Sequence, residues 1–294
     1  MRIGFTLKPD KSDAAAVLAD LVAWLTAAGH TPVVCADDHA ALPNLSPVEV
    51  VTEEQFASAI DFAVVLGGDG TMLRACRLVT DDIDASRSRP VLGVNLGQLG
   101  FLTGFLVAEA KAGITAAIEG RLAVQARMRL RVSLLRPSSD PIIKFALNDA
   151  VIHQGAMARL VDLSAAIDGA FVSAYRADGL IVATPTGSTA YNMAAGGPIV
   201  LPGQEAIVMT PICSHALTNR PLVFAATSVL RLTLPQSHRG VLLTVDGQWA
   251  QSFLAGDTVE ITRAATPFQL LSPFKNHFDI LREKLQWGMR STTK

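Results

Sequence analysis

Gly67-Gly68-Asp69-Gly70-Thr71 is the stretch best suited to chemistry. It follows Asp61-Phe62-Ala63-Val64-Val65-Leu66, an apolar run that reads as a buried strand, and precedes Met72 to Val79, which reads as a helix. A strand that breaks into glycines and restarts as a helix is a common phosphate cradle. Glycines let backbone N–H groups approach an anion, and the helix start adds free donors and a positive dipole end. The aspartate is the odd residue. A carboxylate repels phosphate unless it binds a metal or accepts a proton. Asp69 is thus a candidate base; its structural alternative is the N-cap of the following helix.

Two further stretches carry unusual polar groups. Ala177 to Ala183 reads as a strand that runs into Thr184-Pro185-Thr186-Gly187-Ser188-Thr189-Ala190-Tyr191-Asn192. That density of small donors suits close approach to a nucleotide, and it equally suits a serine- and threonine-rich turn. Asn148-Asp149 interrupts the strand-like run Ile142–His153. Side chains alternate along a strand, so either the strand ends there or both residues serve a ligand.

The surrounding elements change character along the chain. Arg2–Leu7, Thr31–Cys35, Phe62–Leu66 and Val91–Asn95 read as strands. Helices are expected at Asp13–Ala28, at the capping-box signature Thr52-Glu53-Glu54-Gln55, and after the glycine turn. This alternation predicts a doubly wound α/β domain, with ligand bound at the carboxyl ends of its strands. One more helix is expected near Ala108–Glu119, ending at Gly120. Beyond it the pattern is β. Ala126–Leu134 reads as one half-buried strand with its arginines on a solvated face, and Asp168-Gly169 and Asp246-Gly247 read as hairpin turns. The expected fold is therefore an N-terminal doubly wound α/β domain followed by a C-terminal antiparallel β-rich, sandwich-like domain. The boundary is placed at residues 103/104, and a terminal helix within 275–294 can pack back on the first domain.

Bulk properties exclude several classes. The 294 residues are 50% hydrophobic and 17% charged, enough for a sizeable core, and a net charge of −1 gives no basic footprint for nucleic acid. The 3 cysteines are too few and scattered for a disulfide framework or a zinc site. No apolar run reaches membrane-spanning length, so a cytoplasmic location is expected. The P-loop, the G-x-G-x-x-G fingerprint and the G-x-S-x-G elbow are all absent.

Taken together, Gly67-Gly68-Asp69-Gly70-Thr71, Asn148-Asp149 and Asp178-Gly179-Leu180-Ile181-Val182-Ala183-Thr184-Pro185-Thr186-Gly187-Ser188-Thr189-Ala190-Tyr191 resemble, in order and spacing, the NAD kinase family in its bacterial form. The resemblance runs from the first strand to about residue 275. Leu96–Thr103 is similar to the family's link between domains. The resemblance implies transfer of the terminal phosphate of ATP to the 2′-hydroxyl of the adenosine ribose of NAD, giving NADP. It further implies a divalent metal, expected to be magnesium, an active site between the two domains, and a homo-oligomer, dimer or tetramer. On this resemblance Asp69 is the proton acceptor. Gly67, Gly68, Gly70 and Thr71 line the same turn, and Arg74 falls at a dinucleotide-contact position. Asn148 and Asp149 match the ribose-holding pair, with Asp149 one methylene shorter than the Glu of many members. Asp178, Arg176 and Thr189, Ala190, Tyr191, Asn192, Met193 and Ala194 match nucleotide-contacting positions, and Arg159 and Gln248 match outer ones. No lysine lies in either glycine-rich stretch. Backbone N–H groups, the metal and Arg74 are therefore expected to balance phosphoryl charge. Two rivals share parts of the pattern: a lipid or sugar kinase with the same glycine turn, and a non-catalytic dinucleotide sensor.

Overall fold

The computed structural model describes residues 1–8, 12–40, 42, 45–82, 84–97, 100–137, 139–155, 160–235, 240–272 and 277–286. The chain divides into two compact units, residues 1–126 with 268–294, and residues 127–267. The first unit opens with β1 (Arg2–Leu7), α1 (Ser12–Ala27), β2 (Thr31–Cys35), α2 (Ala36–Ala40), β3 (Glu49–Val51) and α3 (Glu53–Ala59). It continues with β4 (Phe62–Leu66), α4 (Asp69–Val79), β5 (Val91–Asn95), β6 (Phe105–Leu106), α5 (Ala110–Ile118) and β7 (Ala123–Arg127). The second unit holds β8 (Leu130–Arg136), β9 (Ser139–Ala146), β10 (Asp149–Gln154), β11 (Val161–Ile167), β12 (Ala170–Ala177) and β13 (Gly179–Ala183). After α6 (Tyr191–Ala194) come β14 (Ala206–Ile212), β15 (Leu222–Ala225), β16 (Leu230–Thr233), β17 (Val241–Val245), β18 (Trp249–Ser252) and β19 (Thr258–Arg263). The chain then returns to the first unit with β20 (Phe268–Ser272) and α7 (His277–Leu285).

The first unit is built on one sheet in the order β3-β2-β1-β4-β5-β20-β7, with β6 beside β5. β1, β2, β3, β4, β5 and β20 pair in parallel. Such strands are covered on both faces, which is why β4, Phe-Ala-Val-Val-Leu, is buried at all five positions. Leu18, Leu21, Val22 and Leu25 of α1 pack on Ile3 and Phe5 of β1 and Val64 of β4. The strand order reverses between β1 and β4, and the carboxyl end of β4 feeds directly into Gly67. A reversal of this kind opens a crevice at the carboxyl ends, where ligands bind in open α/β sheets.

The second unit is two antiparallel sheets of six strands each, β15-β14-β13-β10-β17-β18 and β12-β11-β16-β19-β8-β9. Their inner faces form one core. Ala150 and Ile152 of β10 and Leu243 and Val245 of β17 join Leu163, Leu232, Ile261 and Leu134 of the other sheet. The turns at Asp168-Gly169 and Asp246-Gly247 join β11 to β12 and β17 to β18, with positive φ at all four residues. That is the backbone a tight hairpin demands.

Several expectations are corrected. The unit boundary falls after Ala126, not after Thr103, because β6, α5 and β7 complete the first sheet and its cover; β20, unread in the sequence, joins that sheet too. Ala126–Leu134 is not one strand: β7 ends at Arg127 and β8 begins at Leu130. Its arginines are not all solvated. Arg129 is 2% exposed, its Nε and Nη2 donate to the Thr266 carbonyl at 3.1 and 2.9 Å, and its guanidinium lies over the Phe145 ring. An arginine so paired can be buried where an unpaired one cannot. The run Ile142–His153 is likewise two strands, broken at Leu147-Asn148. Residues 36–50 contain α2 and β3 as well as loop.

Gly93 on β5 ties the fold to the glycine turn. A Cβ there would lie 2.9 Å from the Thr103 Cα and 3.0 Å from the Leu102 carbonyl oxygen. Both obstacles are backbone, so the segment at 102–103 would have to move. Gly93→Ala is expected to cost about 1–3 kcal/mol of stability, the usual penalty of overpacking, read as a lower urea midpoint. An unchanged midpoint would mean that segment yields freely.

Candidate active site

Each unit carries its own group of site residues. In the first, Gly67 is buried and its N–H donates to the Val94 carbonyl at 3.0 Å, which anchors the start of the turn to β5. Gly68 is the N-cap of α4, and the Thr71 and Met72 N–H groups donate to its carbonyl at 3.0 and 3.2 Å. A Cβ on Gly68 or Gly70 would meet no atom within 4 Å, so the outer side of the turn is open to a ligand. Thr71 is buried and packs inward.

Asp69 is the first residue of α4 and does not serve as its N-cap. Its half-buried carboxylate reaches instead to the next strand connection. Oδ2 accepts from the Phe101 N–H at 3.1 Å and Oδ1 from the Leu102 N–H at 3.0 Å. Gly100 lets this happen, since a Cβ there would overlap the Asp69 carboxylate and the Thr103 hydroxyl. Asn95 completes the loop: its Nδ2 donates to Thr103 Oγ1 at 2.9 Å, and its Oδ1 accepts from the Gly97 N–H at 2.9 Å. The segment Leu96–Thr103, expected as a domain link, thus belongs to the first unit and orients Asp69; residues 98–99 lie outside the described residues. Arg74, one turn further on, donates to Asp38 at 2.7 Å and to Glu53 at 3.2 Å. It borders a cavity of about 420 Å³ in which Arg74, Arg77 and Arg87 are matched by Glu53, Glu54 and Asp81.

In the second unit, β10 presents Asp149, Val151 and His153 on one face, opposite the core face of Ala150 and Ile152. These three form part of the wall of a cavity of about 620 Å³, together with Asn148, Asp178, Ala190, Tyr191 and Asp246. The size is that of a small-molecule site. Its charged lining is three carboxylates, with no lysine or arginine among the described residues. Such a wall offers mainly acceptors, which match the hydroxyls and amino groups of a nucleoside better than phosphate.

The break before Asp149 has a specific cause. The Asp246 carboxylate accepts the N–H groups of Leu147 at 2.8 Å, Asn148 at 2.8 Å and Asp149 at 3.1 Å. The Asp246 N–H in turn donates to the Asp149 carbonyl at 2.9 Å. From the other side, the Thr184 hydroxyl donates to the Leu147 carbonyl at 2.5 Å and the Thr184 N–H to the Asn148 carbonyl at 2.8 Å. Asp149 is 6% exposed. Burial, and next the negative charge of Asp246, push its carboxyl up from 3.8 to about 7.

The threonine-rich block divides between scaffold and lining. Ser188 donates to the Pro185 carbonyl at 2.6 Å and accepts from the Val200 N–H at 2.9 Å, and Thr189 donates to the Thr186 carbonyl at 3.2 Å. Asn192 is fully buried, donating to the Ser188 and Pro198 carbonyls at 3.1 Å each and accepting from Thr210 at 2.6 Å. Ala190 and Tyr191 line the cavity, while Met193 is half-buried and Ala194 exposed on α6. Arg176 is exposed on β12, 4.0 Å from Asp162, and Gln248 is exposed in the turn after β17. Arg159 lies outside the described residues. His153, Thr244 and Asp246 also line the cavity and were not singled out from the sequence as site residues. Strand alternation from Asp149 points to His153; nothing local distinguishes Asp246 from an ordinary turn aspartate.

A glycine turn at the reversal of a parallel sheet, and an acceptor-rich cavity on a β sandwich, place the chain among nucleotide-binding enzymes of the α/β plus β class. Family models described as the ATP-NAD kinase N-terminal domain and the ATP-NAD kinase C-terminal domain match residues 3–122 and 147–272. An NAD kinase of Syntrophobacter fumaroxidans is 43% identical over 97% of this chain and 98% of its own length, and one of Geobacter sulfurreducens is 43% identical over 93% and 94%. Among solved structures, yeast NADH kinase complexed with NADH is similar with a TM-score of 0.89 at 29% identity, over 100% of this chain and 90% of that one. An NAD kinase from Archaeoglobus fulgidus in complex with ATP is similar with a TM-score of 0.75 at 25% identity, over 97% and 99%. The chain belongs to the NAD kinase family. It is an enzyme that phosphorylates NAD to NADP with ATP as donor. Among the described residues, no helix is long and apolar enough to cross a membrane.

The state of Asp149 makes stability depend on pH. Its folded value lies above that of an unfolded aspartate, so between about pH 4 and 7 the folded chain keeps a proton that the unfolded chain has released. Its contribution to stability therefore falls as pH rises through that window and is flat above it. A difference of about three units corresponds to about 4 kcal/mol. Asp149→Asn is expected to be more stable than the parent at pH 8, with the gap closing towards pH 4, measured by urea unfolding without ligand. A gap that widens at low pH would reverse this assignment.

Proposed function

We propose that Asp69 accepts the proton of the 2′-hydroxyl as phosphate is transferred. The observation that carries this is a half-buried carboxylate whose two oxygens are each fixed by a backbone N–H, beside an open glycine turn. A ribose hydroxyl is a poor nucleophile and gains from an aligned acceptor, typically about 10²–10⁴ in rate. The free side of Gly68 and Gly70 and the start of α4 are where donor phosphates would lie, held by backbone N–H groups and the helix dipole. Asn148, Asp149, Asp178, Ala190 and Tyr191 are assigned to the dinucleotide, and Arg176, Gln248 and Arg159 to its periphery.

Magnesium enters this proposal as part of the nucleotide. No group of three or more His, Cys, Asp or Glu able to hold a metal occurs among the described residues. No metal cage is assigned to the described side chains, and no catalytic step is assigned to the metal. Magnesium commonly stays with substrate phosphates and water in this way. A cytoplasmic location fits the absence of any disulfide among Cys35, Cys76 and Cys213.

Self-association is also proposed. Phe171 on β12 is 69% exposed and Val223 on β15 is 47% exposed, and each strand ends its sheet. Apolar side chains on open strand edges suit burial against a second copy. Light scattering is expected to give a dimer or tetramer, and Phe171→Glu to shift it towards monomer; a monomeric parent protein would end this reading.

The decisive assay supplies ATP, magnesium and NAD, and reads NADP with an NADP-specific dehydrogenase. Asp69→Asn is expected to bind NAD with nearly the parent affinity and to lose about 10²-fold or more in kcat. Near-parent turnover would move the base elsewhere.

A further inference from the structure

Asp246 stands in a hairpin turn, yet its carboxylate reaches across to the segment that precedes β10. It accepts there the N–H groups of Leu147, Asn148 and Asp149. Three successive N–H groups can converge on one acceptor only if the chain leaves the β ladder there. β9 accordingly stops at Ala146, and β10 restarts at Asp149. The break brings Asn148 and Asp149 to the cavity together, which plain strand alternation would forbid.

We propose that Asp246 is the positioning residue of the dinucleotide subsite: its carboxylate gathers the 147–149 backbone so that Asn148 and Asp149 both face the ligand. This rests on the assignment of Asn148 and Asp149 to the dinucleotide. The titratable groups that line the cavity with Asp149 are Asp246 on the β17–β18 turn, Asp178 between β12 and β13, Tyr191 on α6, and His153 on β10 itself. Asp246 is the one whose backbone and side chain both bond the Asp149 segment. An ionised Asp149 accepts from a ribose hydroxyl more strongly than a neutral carboxyl does. Affinity for NAD should then rise with pH as Asp149 loses its proton. Removing the negative charge of Asp246 makes that ionisation easier, so the rise moves to lower pH.

Asp246→Asn is the informative variant. Asp246 has φ of 51°, and asparagine tolerates that conformation as well as aspartate does. The amide keeps an acceptor oxygen but loses the charge, and it presents an NH₂ to a donor N–H. The KM for NAD is expected to rise about tenfold or more with a smaller change in kcat and an unchanged KM for ATP. The step in kcat/KM for NAD, expected near pH 7 in the parent, is expected to move down. A merely structural role would not move that step. A folded Asp246→Asn enzyme with KM for NAD within about twofold of the parent, or with its step unmoved, overturns the proposal. Should this variant not fold, the parent and Asp149→Asn decide: a parent profile with no step near pH 7, or a step that persists in Asp149→Asn, overturns it too. Asn148→Ala separates the layers. If neither it nor Asp149→Asn raises the KM for NAD, the dinucleotide assignment itself fails. If they raise it and Asp246→Asn does not, only the role of Asp246 fails.

Discussion

A buried backbone N–H must find an acceptor, and both groups of site residues are organised by that requirement. Where a strand gives way to a functional loop, the ladder stops supplying partners. In the first unit the N–H groups of Phe101 and Leu102 are taken up by Asp69. In the second the N–H groups of Leu147, Asn148 and Asp149 are taken up by Asp246. Each carboxylate thus allows an irregular backbone that a regular sheet would not permit. Irregular backbone of this kind is what exposes polar side chains and glycine surfaces to a ligand.

The electrostatics of the two units differ in sense. The glycine turn offers the open side of Gly68 and Gly70 at the start of α4, where the helix dipole favours negative charge. The cavity on the β10 face has three carboxylates and no lysine or arginine among the described residues that line it. Phosphate suits the first and not the second; hydroxyl and amino donors suit the second. A nucleotide kinase needs both kinds of surface, and the sequence separates them by some eighty residues. Arg74 does not blur the division, since Asp38 and Glu53 engage its guanidinium.

Much of the fold was legible because local patterns and tertiary structure agree. The apolar run before Gly67, the hairpin dipeptides at 168–169 and 246–247, and strands such as Thr31–Cys35 and Val91–Asn95 stand where their spacing puts them. The failures come from partners distant in sequence. Arg129 looked solvated because its acceptor, the Thr266 carbonyl, is 137 positions away. The first unit was cut short because β20 joins its sheet from the far end of the chain. The candidate site followed the same rule. The family pattern marked Asp69, Asn148, Asp149 and Asp178, but a turn aspartate that bonds a strand 97 to 99 positions away leaves no local trace.

The number of bonds on each carboxylate separates their roles. An ionised carboxylate has about four lone-pair sites. Asp246 accepts at least three N–H bonds, so it is nearly saturated and its natural work is to hold backbone. Asp69 accepts two, one on each oxygen, and so keeps a lone pair on each for an incoming proton while its orientation is already fixed. A carboxylate with no such bonds would be free to rotate away from a hydroxyl, and one with four could not accept from it. Asp69 lies between these limits, beside a turn that leaves room for the reactants. That balance supports its assignment as the base more directly than its place in a familiar motif does.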